Sequence, residues 1–448
     1  MKEINTPIYD FVSEYIDSDF TRLHMPGHKG RGPLGCEERD ITEVGGADVL
    51  YSPTGIIKES EDNASLLFNT HHTYYSTEGS SLAIRAMLTA ALKGRKSDTP
   101  PVILAARNAH KSFLYSLALL DIEVEWMYPE SDSYYLGGVY TAHGVREALG
   151  RMKNLPFAVY LTSPDYLGNL ADIEGISEVA KEYEIPLLVD NAHGAYLAFL
   201  DKSQHPISLG AAMCTDSAHK TLPVLTGGAY LHLSTQWHRY APYIRESFSL
   251  FASTSPSYLI LQSLDLCNHR LATDYPESLA ECIRRVEGLK AALVKNGTPA
   301  LPSEPLKITL DAALFGMSGY QICDILMASK IVPEFADESY VVLMPSPSNT
   351  EAEIDHLREV LLSIKKGERK VEKPLALSRP EKILSVREAI FSPSESIPVS
   401  CAVGRICADP SVSCPPAVPI AVSGERISED MVSLFQKYGI ESISVVKE

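Results

Sequence analysis

Apolar and polar positions alternate regularly through the middle of the chain. Short apolar runs at Val102–Ala105, Ile122–Met127, Phe157–Thr162, Pro186–Asp190 and Ala229–Leu233 read as strands. Between them lie stretches with apolar residues at helical spacing, such as Ser81–Lys93 and Ile173–Tyr183. Strand and helix alternate over roughly 150 residues, which predicts an α/β domain with a mainly parallel sheet. In such sheets ligands sit beyond the carboxyl ends of the strands, so the chemistry is expected in the strand-to-helix loops.

The pattern differs on either side of this domain. His24-Met25-Pro26-Gly27-His28-Lys29-Gly30 is rich in Gly and Pro and reads as loop. After residue 290 a smaller α/β pattern follows: Leu306–Leu310, a helix over Ser318–Ser329, Tyr340–Met344 and a helix over Thr350–Ile364. Lys365–Lys373 is a charged connection, and the remaining stretch carries two proline clusters before a short helix and strand. The expected organisation is an arm over 1–40, a large domain over 41–290, a small α/β domain over 291–370 and a C-terminal domain over 371–448.

Composition narrows the picture. At 448 residues the chain exceeds a usual single core. Its apolar fraction of 45% and charged fraction of 22% suit a globular protein. The first residues are acidic and proline-containing where a signal peptide needs a basic start and an apolar run. No apolar stretch is long enough to span a bilayer, so no membrane association and a cytoplasmic location are expected. Eight cysteines are scattered without a C-x-x-C pair, which favours reduced thiols and no metal site. A formal net charge of −17 argues against a nucleic-acid partner and would attract a small cation.

Four loops carry candidate chemistry. Lys220 lies in Asp216-Ser217-Ala218-His219-Lys220-Thr221, followed by Gly227-Gly228. Partial desolvation of a lysine there lowers its pKa and makes it a Schiff-base nucleophile; a plain surface lysine is the alternative. Asp190 ends an apolar run and opens Asp190-Asn191-Ala192-His193-Gly194, 30 residues before Lys220. A carboxylate there can keep the pyridine nitrogen of pyridoxal phosphate (PLP) protonated, or simply cap a helix. Ser76–Ser81 precedes a helix, where Gly and Ser amides make an anion site or an ordinary cap. His110, after the strand at Val102–Ala105, can stack on a flat ring or cap a helix. No nucleotide-binding glycine fingerprint is present. In chain order the four loops read phosphate site, stacking imidazole, carboxylate and Schiff-base lysine.

With these segments in hand, the sequence resembles the short bacterial ornithine/lysine/arginine decarboxylases of PLP fold-type I. The similarity runs through H-M-P-G-H-K at 24–29, the stretch 40–59, R-N-A-H-K-S at 107–112, T-S-P-D-Y at 162–166 and D-N-A-H-G at 190–194. It continues through S-A-H-K-T-L-P at 217–223, T-S-P-S-Y at 254–258, A-V-G-R-I at 402–406 and P-P-A-V-P-I-A-V-S-G-E at 415–425. The resemblance implies a seven-stranded, mainly parallel sheet with an N-terminal arm and a smaller C-terminal α/β region. It implies PLP bound to Lys220 as an aldimine, with Asp190 on the pyridine nitrogen, His110 on one ring face and Ala192 on the other. Ser80, Ser81, Ser217 and His219 would hold the phosphate, and Ser255 would reach the phosphate of a partner subunit. The site would therefore need a homodimer or a higher even oligomer. His193 and His219 would handle protons.

The implied activity is decarboxylation of a small cationic amino acid (lysine, arginine or ornithine) to the amine and CO2, in polyamine synthesis or acid resistance. Several positions depart from the family pattern: Thr226-Gly227, Ala417, Asp165, Asp48-Val49 and Tyr51. Asp48, Asp165 and the C-terminal segment are thus places to look for substrate identity. One further feature bears on the reaction. Transaminases of this fold typically hold the substrate carboxylate with an arginine on the strand before the last large helix, and Tyr340–Asn349 contains none. The alternatives are another PLP reaction on the same scaffold, or a catalytically silent relative.

Overall fold

A computed structural model describes residues 4–96, 99–129, 137–368, 379–410 and 418–448. Seven strands form one mostly parallel sheet: β1 (His72–Ser76), β2 (Val102–Ala106), β3 (Glu123–Met127), β4 (Ala158–Thr162), β5 (Leu187–Asp190), β6 (Met213–Asp216) and β7 (Ala229–Leu233), in the order β1-β7-β6-β5-β4-β2-β3. β2 and β3, and β5 and β6, pair parallel; β7 runs antiparallel to both β1 and β6. Strands buried on both faces read as unbroken apolar runs, and β5 (Leu-Leu-Val-Asp) is buried at every position. The sequence-predicted strands at these places differ from the observed ones by one residue at most.

The chain divides into two compact units. The first comprises Met1–Asp98, Phe157–Leu161 and Ile173–Ser278. It contains helices α1 (Pro7–Asp17), α2 (Ile56–Leu67) and α3 (Gly79–Lys93). Nine residues of α3 from Leu82 to Ala91 are buried; its alanines let it lie close against α8 (Ala241–Phe251), β6 and β7.

The second unit comprises Thr99–Pro156, Thr162–Asp172 and Leu279–Glu448. It holds α4 (Lys111–Leu120) and two three-stranded sheets, β8-β10-β9 and β11-β13-β12. In the first of these, β8 (Ile308–Asp311), β9 (Phe335–Ala336) and β10 (Tyr340–Leu343) accompany α11 (Gly319–Ala328) and α12 (Glu351–Ser363). Both helices start in capping boxes, Ser318 with Gln321 and Thr350 with Glu353, which satisfy the free N–H groups of the first turn. β10 leads into α12 and carries no arginine. In the C-terminal sheet, β11 (Ser394–Pro398), β12 (Cys407–Asp409) and β13 (Ser442–Val446) share a core with α14 (Glu429–Lys437), centred on Met431 and Phe435. No helix among the described residues is long and apolar enough to cross a membrane.

Candidate active site

Adjacent strands β5 and β6 end in Asp190 and Asp216, and Ala192, His193, Ser217, His219 and Lys220 lie just beyond them. After β6 the chain makes Ser217 and the single helical turn α7 (Ala218–Thr221), which contains His219 and Lys220. Lys220 Nζ lies 3.0 Å from His193 Nε2. Lys220 is exposed in the single chain rather than desolvated, while His193 is buried.

Asp190 is 2% exposed. Its Oδ1 accepts a hydrogen bond from Ala192 N (3.2 Å) and its Oδ2 a long one from Tyr160 on β4 (3.4 Å). Burial pushes its pKa up to about 6, against the opposing charge of Lys220. Asp190 therefore ends a strand and closes a tight loop; it caps no helix.

The candidate phosphate site is built by the start of α3. Ser80 and Ser81 fall in its first turn, not before it, and the N-cap position belongs to Glu78. Ser217 Oγ donates to Ser80 Oγ at 2.8 Å, so the α3 and lysine loops meet through hydroxyls. Gly79 N donates to Gly227 O at 2.8 Å. Gly227 adopts φ +101°, and a Cβ there would stand 3.0 Å from Thr77 O. Glycine is required at this departure from the family pattern because the lysine loop passes so close to α3. His219 Nδ1 faces Gly228 O at 3.0 Å and must donate to it, which leaves Nε2 as an acceptor. Burial lowers the His219 pKa and favours the neutral ring.

Ser255 is exposed, and its N–H donates to Ser253 Oγ (3.1 Å). The same loop is tied to the start of α3, because Ser253 N donates to Glu78 Oε1 (2.8 Å). His110 belongs to the second unit. It caps α4, its Nδ1 accepting from Ser112 N at 3.1 Å.

Two suspected substrate-reading acids have other employment. Asp48 accepts from the N–H groups of Val49, Thr54, Gly55 and Ile57 at 2.8–3.1 Å, closing the loop that leads into α2. Asp165, in the second unit, is buried and accepts from Gly138 N, Leu167 N, Asn169 N and Asn169 Nδ2 at 2.8–3.1 Å. Both carboxylates hold loops together. Ala417 lies outside the described residues. Sequence reasoning passed over Tyr160; its only signal was one hydroxyl-bearing ring in the aliphatic run Ala-Val-Tyr-Leu-Thr.

A mostly parallel seven-stranded sheet, with a buried carboxylate and a lysine loop at the ends of neighbouring strands, defines the architecture of PLP fold-type I enzymes. The model of the family "Orn/Lys/Arg decarboxylase, major domain" matches residues 6–309, and the chain belongs to that family. It is 31% identical over 462 residues to the uncharacterised protein YaaO of Bacillus subtilis (strain 168), covering 96% of this chain and 93% of that protein. It is 28% identical over 476 residues to an arginine decarboxylase of the same organism, covering 98% and 94%. Among solved structures, the constitutive lysine decarboxylase of E. coli shares the fold with a TM-score of 0.76 at 17% identity, covering 99% of this chain and 82% of that one.

Proposed function

We propose that this protein decarboxylates a basic L-amino acid (lysine, arginine or ornithine) to the corresponding amine and CO2, using PLP held by Lys220. The observation that carries the proposal is the convergence, within one compact unit, of Lys220, the buried Asp190 and the Ser80–Ser217 hydroxyl pair at the start of α3. Full-length similarity to arginine decarboxylases supports the substrate class.

The residues fit the cofactor. A carboxyl raised to about 6 by burial is an acid in want of a cationic partner, and a protonated pyridine nitrogen is one. The 15-residue α3 places the Ser80 and Ser81 hydroxyls in its first turn, with Ser217 beside them, as an anion site for the phosphate at the positive end of the helix. Lys220 would anchor the aldehyde carbon, and Ala192 would lie against one face of the ring. Bound PLP supplies an electron sink for the pair left at Cα when CO2 departs.

The remaining work belongs to the protein. Asp190 keeps the proton on the ring nitrogen. His193, 3.0 Å from Lys220 Nζ, accepts a proton from the lysine ammonium and can return it. His219 offers a second basic nitrogen at Nε2. The net charge of −17 raises the local concentration of a cationic substrate. A cytoplasmic homodimer, with Ser255 reaching the partner's phosphate site, completes the proposal; exposure of both Lys220 and Ser255 in the single chain is in keeping with it.

The test supplies the PLP-loaded protein with lysine, arginine and ornithine in parallel. Expected is one of cadaverine, agmatine or putrescine in equal yield with CO2, and loss of both product and borohydride-trapped cofactor in Lys220→Ala. A keto acid without CO2, or no amine from any of the three, overturns the proposal.

A further inference from the structure

Side chains two apart on a strand share a face, and directly paired residues of antiparallel strands share it too. Cys214 and Asp216 on β6 are two apart, and the β6–β7 register pairs Cys214 with His232. His205 reaches the same place from the segment preceding β6. His205 Nε2 lies 3.0 Å and His232 Nε2 3.1 Å from the same oxygen, Asp216 Oδ2. Cys214 Sγ lies 3.7 Å from His205 Nε2 and 4.0 Å from Asp216 Oδ1. All four side chains are 0% exposed, and Cys214 is a free thiol.

We propose that His205, Cys214, Asp216 and His232 form a structural site for a tetrahedral divalent metal ion of the zinc class. Zinc bonds of about 2.0–2.3 Å to N, O and S imply donor-to-donor edges of roughly 3.3–3.6 Å in a tetrahedron. The His205–Asp216, His232–Asp216 and His205–Cys214 separations of 3.0, 3.1 and 3.7 Å come within a few tenths of an ångström of that range. The outer contacts suit it as well. Asn191 Nδ2 donates to Asp216 Oδ1 at 2.6 Å, occupying the other carboxylate oxygen. Thr73 Oγ1 lies 2.9 Å from His232 Nδ1, where it can accept the Nδ1 proton and leave Nε2 for the metal. Phe68 packs 4.5 Å from the His232 ring and 5.5 Å from the His205 ring, centroid to centroid, and walls the cluster with apolar surface.

Charge gives an independent reason. The Asp216 side chain is fully buried. Its hydrogen-bond partners are His205, His232, Asn191 and the Cys214 thiol, with no lysine or arginine among the described residues. His205 Nδ1 is buried without a hydrogen-bond partner. A buried carboxylate is costly to keep charged without a full cationic partner, and an M²⁺ ion with the Asp216 carboxylate and the Cys214 thiolate is neutral overall. Binding releases the Cys214 thiol proton to solvent. The dispersed cysteines of the chain give no sign of such a site, because it uses only one of them. It stands apart from the proposed substrate chemistry and would clamp β6 to β7 beneath the lysine loop.

The test is metal analysis and zinc X-ray absorption of the untagged holoenzyme, as purified and after refolding with zinc. Expected is about one zinc per chain, with one sulfur near 2.3 Å and three N or O ligands near 2.0–2.1 Å. The sulfur shell should vanish in Cys214→Ser while zinc is retained. Wild-type protein with less than about a tenth of an ion per chain after both preparations, or zinc without a sulfur ligand, overturns the proposal and leaves a hydrogen-bonded core. The wild-type spectrum decides even if the variant fails to fold.

Discussion

Asp190 shows how far a single side chain can be read, and where reading stops. Its place at the end of an apolar run, and its distance in sequence from Lys220, are plain in the sequence. Its pKa is not, because that depends on the strands packed around it. The consequence is measurable in cofactor-free protein. The folded pKa of about 6 lies above the reference 3.8, so folding favours the neutral acid. The resulting penalty is absent below pH 3.8 and complete above about pH 6. As pH rises between those values, wild type should lose roughly 3 kcal/mol that Asp190→Asn does not. Parallel denaturation curves across that window check it; identical pH dependence in the two proteins would refute it. Lys220 and Ser217 were legible because local motifs mark them. The Lys220–His193 and Ser217–Ser80 contacts were not, since the order of strands in the sheet decides which loops become neighbours.

At the scale of elements, continuous apolar runs disclosed β2, β4, β5 and β7 within a residue of their ends. β1 and β6 escaped the same reading. Their sequences, His-Thr-Tyr-Tyr-Ser and Met-Cys-Thr-Asp, bury polar side chains that find partners across the sheet, as Asp216 does with His205 and His232. Periodicity cannot register a polar group satisfied from a distance. Asp48 offers the opposite lesson, since a departure from the family pattern invited a substrate-reading role and the carboxylate instead gathers the N–H groups ahead of α2. Asp48→Ala is expected to cost about 1–2 kcal/mol in stability. Product choice among lysine, arginine and ornithine should not change, and a switch in preferred substrate would show that the acid reads the substrate after all.

For the whole molecule, contacts spanning hundreds of residues matter most. Within the second unit, Arg107 donates to the carbonyls of Pro419 and Ile420 and to Glu425, each at 3.0 Å, across a separation of up to 318 residues. Side-chain exposures of 9% and 5% make this a buried pair. Burial pushes the Glu425 pKa up, with Arg107 opposing. Removing one partner of such a pair strands the other, so Arg107→Ala should destabilise the protein by about 3–5 kcal/mol. Arg107→Met combined with Glu425→Leu should restore most of that, as read from denaturant midpoints. A double variant no better than the single one would mean that the carbonyl contacts dominate. Nothing in the linear pattern links residue 107 to residue 425; only the folded chain does.

The antiparallel run of β7 against β6 also limits how this chain can change over evolutionary time. The segment from Ser217 to Gly228 is a connection whose two ends are clamped by cross-strand pairing. Adding or deleting one residue within either strand would turn its side chains to the opposite face. Cys214 and Asp216, or their partner His232, would then point to the opposite, equally buried face and lose one another, and Ser217 and Lys220 would shift with them. Surface loops elsewhere can lengthen or shorten while the fold survives. Here only residue identity is free to vary, so new reactivity in descendants of this chain is expected to arise by substitution within a stretch of fixed length.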